Sequence, residues 1–215
     1  MIVAPLLIRS LIRLAHRSGA SDAEIARLLP GDELVPEATD VVDRAVTLSA
    51  TPEQVWPWLV QLGKQRAGWY FPAWIEHTML PRRGRGLRQI APAFQQVAVG
   101  NEVPDYGPGQ PVLRAMTVEP NRALVYLSLR DKRHNHRWPT DAGSASIVAF
   151  SWALILTEQG ASTRLHIRLR MRLTGSKLPV AAFGGLFDWL TVRLLFSGLR
   201  ERLSVPEQGP GGRRR

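Results

Sequence analysis

The chain has 215 residues, 45% of them apolar, which suits one domain with extensions and a sizeable buried core. Its 28 Lys and Arg outweigh 18 Asp and Glu to leave a formal charge of +10, which directs the surface toward anionic partners. With no cysteine, disulfides, thiolate nucleophiles and Cys-containing zinc sites are excluded.

The opening stretch "MIVAPLLIRSLIRLAHRSG" has no basic run ahead of its apolar one and no small-residue cleavage site, so it is read as part of a cytoplasmic protein, with peripheral membrane contact as an option. It predicts a basic amphipathic helix over Pro5–Arg17, able to pack on the protein or to lie on an anionic bilayer. A second short helix, opened by Ser21 or Asp22, completes a helical extension over 1–35. The domain proper is expected over 36–204, followed by a disordered basic tail, 205–215.

"VVDRAVTL", 41–48, reads as a strand. Thr51 then caps a helix with Pro52 at its first position and Gln54 completing a capping box, and Val55, Trp58, Leu59 and Leu62 form its inward face. Gly63 ends that helix, and "AWIEHTML" gives another before the basic loop "PRRGRG". Four strands follow, "VLRAMTVE", "RALVYLSLR", "SIVAFSWALILTE" and "STRLHIRLRMRL". Two-residue turns at Pro120–Asn121 and Gln159–Gly160 would pair Met116 with Val125, Arg114 with Leu127, Trp152 with Ile167 and Phe150 with Leu169. In that register Arg114, Val125, Leu127, Phe150, Trp152 and Ile167 face inward, while Tyr126 faces out.

The last strand alternates Leu165, Ile167, Leu169, Met171 and Leu173 with Arg164, His166, Arg168, Arg170 and Arg172, one dry face and one solvated basic ladder. The dry face needs a cover, and the long helix over 177–203 supplies it with a stripe of Phe183, Phe187, Leu190 and Leu194. Its segment 178–199 is greasy enough to suggest a membrane span, but Asp188 and Arg193 near its centre favour a buried helix.

The quoted stretch "LPGDELVP", the strand after it, "ATPEQVWPWLVQLG" with "RAGWY", and "SIVAFSWALIL" running into "STRLHIRLR" resemble the SRPBCC superfamily of START-like and polyketide-cyclase-like proteins. The resemblance covers roughly 28–203. It implies an α+β helix-grip fold: a curved antiparallel sheet around a long C-terminal helix, with two short helices after the first strand. It further implies a chamber for lipids, sterols or polyketides between sheet and helix, bordered near its entrance by Trp69, Tyr70 and Trp74.

The expected function is therefore binding or transport of a hydrophobic small molecule, without cofactor or metal. The walls would be Trp69, Trp74, Val125 and Leu127 with Phe150, Trp152 and Ile167, closed by Phe183, Phe187 and Leu190 from the helix. Arg114 would orient a polar end of the ligand through its guanidinium. The alternative is a cyclase or aromatase, which needs an inward acid/base pair that this register does not supply; a packed adaptor without ligand is a third reading. An anionic membrane could meet the N-terminal helix and Arg164, Arg168, Arg170 and Arg172, whereas nucleic acid is disfavoured because no aromatic residue interleaves the ladder. His134 and His136 lack a third metal ligand, His77 suits a surface role, and no dinucleotide, P-loop or zincin motif occurs.

Overall fold

The computed structural model describes residues 17–139, 147–172 and 178–204, with backbone alone at 147 and 178–188. The expected helix over Pro5–Arg17, apart from Arg17 itself, and the basic tail lie outside the described residues, as do the side chains of Phe183, Phe187 and Asp188.

Helix α1 (Asp22–Ala26) is capped by Ser21, whose hydroxyl accepts the Glu24 amide at 3.2 Å while the Glu24 carboxylate accepts the Ser21 amide at 2.7 Å. Strand β1 (Asp40–Leu48) leads to α2 (Pro52–Gln61), where the expected capping box of Thr51 and Gln54 forms. Helix α3 (Ala73–Thr78) follows, and then β2 (Glu102–Pro104), an edge strand that the sequence pattern did not disclose. Strands β3 (Val112–Glu119), β4 (Ala123–Asp131), β5 (Ile147–Gln159) and β6 (Ser162–Arg172) precede the long helix α4 (Leu178–Leu203). The six strands form one antiparallel sheet in the order β1-β6-β5-β4-β3-β2, and α4 lies against its inner face beside α2. This is the α+β helix-grip arrangement.

The sheet is covered on both sides, which the sequence pattern did not anticipate. On the inner face Val46, Leu48, Leu124, Leu154, Leu156, Leu165 and Ile167 pack with Val55, Trp58 and Leu59 of α2 and with Val192, Leu195, Phe196 and Leu199 of α4. The α4 residues recur at i, i+3, i+4 and i+7, the spacing of one buried helical stripe. Of the expected stripe, Leu190 is instead 48% exposed and Leu194 only half-buried. Gly198 is where α4 meets the chain after β1: a Cβ there would sit 2.5 Å from the Tyr70 carbonyl oxygen.

On the outer face, Leu29, Leu34 and Val35 cover Ala123, Val125, Leu127, Ala149, Ala153 and Ile155. Gly31, at φ 95°, allows this close approach, since its Cβ would lie 2.5 Å from a Val125 methyl. The basic ladder is consequently not solvated. Arg164 binds Glu24 at 2.7 Å, and Arg168, almost wholly buried, binds Asp43 and Asp32 at 2.8 Å each and the carbonyls of Glu24, Ile25 and Arg27. Arg170 donates to the carbonyls of Val35 and Pro36, and His166 shares Asp43 with Arg168. Arg172 alone of the four arginines keeps substantial exposure, with Glu37 3.9 Å away.

Both hairpin turns differ from those expected. In β5–β6 the turn is Gly160–Ala161, a shift of two that preserves the faces: Trp152 pairs with Leu169 and Leu154 with Ile167. In β3–β4 Glu119 pairs with Ala123 around a Pro120–Arg122 loop with Asn121 at φ 61°, and a bulge at Met116 then restores the expected pairing of Arg114 with Leu127. That pair nevertheless lies on the outer face.

Candidate functional site

Strand β4 carries the site. Its inner residues run Leu124, Tyr126, Ser128 and Arg130, a gradient from apolar to cationic along one strand, and their β5 partners are Leu154, Trp152, Phe150 and Val148. Tyr126 is 2% exposed and Ser128 fully buried, whereas Phe150 and Trp152 keep part of their surface.

Trp152 stacks with two further rings. Trp69 lies with centroids 6.0 Å apart and planes 20° from parallel, and Tyr126, the cross-strand partner of Trp152, at 6.2 Å and 26°. These are offset-stacked geometries. The Trp69 indole N–H donates to the Thr191 carbonyl of α4 at 3.1 Å, so the row of rings is tied to the helix.

The Tyr126 hydroxyl is buried and has no hydrogen-bond partner among the described residues. Burial pushes its phenol up to about 12, with the Arg66 charge drawing it slightly back, so the group remains a neutral O–H donor at physiological pH. Arg66 places its guanidinium 5.1 Å from the Phe94 ring centroid and donates to the carbonyls of Phe94 and Val60 at 2.6 and 3.2 Å. Its Nε is buried without a partner.

At the polar end of the gradient, Arg130 pairs with Asp105, donates from Nε to the Ser128 hydroxyl at 3.1 Å and covers the Phe150 ring at 4.3 Å. The Asp105 carboxyl is pushed up by burial and pulled partly back by Arg130. An acid and a phenol thus stand on the face where a cyclase would need them, and the expectation of an inner face without such groups is corrected.

Placement differs for several expected site residues. Trp69, Phe150, Trp152 and Ile167 lie on the inner face, Ile167 sealed in the core at 2% exposure. Val125 and Leu127 lie on the outer face, under Leu29 and Val35. Arg114 is also there, paired with Glu102 at 2.7 Å and lying 3.8 Å over the Trp138 ring, its charge already matched. Trp74 is 62% exposed on α3, and Leu190 is turned from the core as described above.

These inversions share a cause: β4 is apolar on both faces because both are covered, so hydrophobicity cannot tell inward from outward. Of the residues missed, Arg66, Asp105, Tyr126, Ser128 and Arg130, the last three carry a sequence signal, the Leu-Tyr-Ser-Arg alternation at 124, 126, 128 and 130, while Arg66 and Asp105 carry none. His77 is exposed, His134 hydrogen-bonds Asp131 at 2.7 Å, and no metal-holding cluster of acidic and imidazole groups occurs among the described residues.

No family model matches the chain. The curated proteins yield no match either. Solved structures similar to it include a Rhodobacter sphaeroides protein at 15% identity (79% of this chain, 95% of that one, TM-score 0.47). Another is protein MLL2253 from Mesorhizobium loti at 20% identity (76% and 96%, TM-score 0.42). DynU16, from the dynemicin biosynthetic locus, is similar at 18% identity (77% and 48%, TM-score 0.41). No helix among the described residues is long and apolar enough to cross a membrane.

Proposed function

We propose that this protein binds a hydrophobic, planar small molecule on the inner face of its sheet, beside the Trp69–Trp152–Tyr126 row, and carries it without chemical change. The observation that carries the reading is the state of the rings. The rest of the inner face is sealed by α2 and α4, yet Trp152, Phe150 and Trp69 keep accessible surface beside a buried hydroxyl that has no partner among the described residues. An aromatic surface with a few convergent polar groups is what small-molecule sites present. The SRPBCC-like sequence pattern supports the same reading.

Native mass spectrometry of the purified full chain, with organic extraction of released material, tests this reading. A stoichiometric apolar compound, or uptake of one equivalent of an added planar apolar compound, is expected. A mass that stays that of the bare chain after such additions contradicts it.

A second reading, an acid/base enzyme of the cyclase kind, is favoured by the Asp105 carboxyl, raised by burial and paired with Arg130 on the strand that carries Ser128 and Tyr126. It predicts that a polyketide-like compound leaves the protein altered in mass or absorbance, and that Asp105→Asn abolishes the change. Recovery of the unaltered compound favours the carrier. Docking on an anionic membrane loses the support expected from Arg164, Arg168 and Arg170, whose charges are engaged by the 19–38 segment.

A further inference from the structure

Among the described residues, the Oη–H of Tyr126 and the Nε–H of Arg66 are buried donors on the inner side of the sheet that meet no acceptor. Each costs on the order of 1–3 kcal/mol when nothing receives its hydrogen. Gly63 locates Arg66: a Cβ on that glycine would lie 3.8 Å from the Arg66 Cδ and 2.9 Å from a Val103 methyl. Val103 pairs with Leu113, and Ala115, two residues on along β3, pairs with Tyr126. The stem of Arg66 therefore stands near Val103, on the β2–β3 part of the inner face, and Val103 shares its core cluster with Ala115 and Tyr126, against which Trp152 packs. The influence of the Arg66 charge on the Tyr126 phenol agrees with that proximity.

Resting on the reading above, we infer that Arg66 and Tyr126 form a two-donor seat for an anionic oxygen, so that the bound molecule is a planar aromatic acid whose ring system lies along Trp152 and Trp69. A phenol that stays protonated and a guanidinium that stays charged are both donors, so the seat selects an acceptor-only group such as a carboxylate over an alcohol or an unsubstituted ring. The guanidinium is held by two backbone carbonyls and the Phe94 ring, so it is positioned before the ligand arrives. Arg130 does not compete for the role, because Asp105 already neutralises it.

The test is isothermal titration of the full chain with a matched pair of probes, 2-naphthoate and 2-methylnaphthalene, in wild type, Tyr126→Phe and Arg66→Gln. The wild type should prefer the acid by about tenfold or more. Each variant should lose most of that preference, read as the ratio of the two affinities, one charge-assisted hydrogen bond being worth roughly a factor of ten. Because the Tyr126 hydroxyl has no partner among the described residues to lose, Tyr126→Phe should unfold at an unchanged or higher temperature when free. Equal binding of the two probes to wild type, or a preference that survives both variants, overturns the seat and leaves the carrier reading standing. A Tyr126→Phe protein that melts lower when free shows that a bound water already meets the hydroxyl, and also overturns it. Failure of both probes to bind wild type removes the carrier reading and the seat with it.

Discussion

Arg114 and Arg130 show how little a residue's type says until its face is known. Both are arginines on the central hairpin, yet one pairs with Glu102 at a half-open edge and the other is held against Asp105 and Phe150 with 14% of its side chain exposed. An exposed pair is worth little, whereas removing one partner of a buried pair strands a charge. Arg114→Ala should therefore cost less than about 1 kcal/mol and leave ligand affinity unchanged, while Asp105→Ala should cost about 3 kcal/mol, both read from urea denaturation. The sequence offered Arg114 as the inward cation because its strand neighbours Val112, Met116 and Val118 are apolar. What it could not offer was the second cover, which takes Met116 on the outer face, while the bulge there returns Val118 to the inner one.

The elements whose ends carry explicit chemistry were readable in advance. Ser21 and Glu24, Thr51 and Gln54, and the alternation along β6 each name their own structure, since caps and periodicity are local signals. The β3–β4 loop was not readable, because the extra residue at the turn is offset by the bulge at Met116, and only the sheet as a whole fixes the sum. Two predictions belong at this scale. Hydrogen bonding from Arg164 and Ser21 holds the Glu24 carboxyl down at about 2, so the native state favours its ionised form. That contribution is present above the ordinary value of 4.5 and is lost as pH falls toward 2. Glu24→Gln should destabilise the protein by about 1 kcal/mol near neutral pH, and the difference from wild type in thermal melts should shrink across that acid range. Gly198→Ala should cost about 2–4 kcal/mol despite alanine's better helix propensity, because its methyl would meet the Tyr70 carbonyl backbone and α4 would have to move outward. An equally stable variant would show that the helix is not held so closely.

For the whole molecule, much of the positive charge serves folding. Three of the four ladder arginines hold the 19–38 segment onto the sheet, and Arg202 joins α4 to Glu76 at 2.7 Å and to the carbonyls of Phe71, Leu87 and Gly198. A doubly covered sheet leaves the inner face as the place where aromatic surface and unmet hydrogen bonds coincide among the described residues. The central claim is that this face receives a planar apolar molecule against Trp152, and titration of the neutral fluorophore N-phenyl-1-naphthylamine into wild type and Trp152→Ala tests it most directly. The account predicts saturable one-to-one binding to wild type and roughly tenfold weaker binding to the variant, with a stability loss of only about 1–2 kcal/mol because the ring is part-exposed. No saturable binding to wild type, or affinity unchanged by removing the ring, would contradict it.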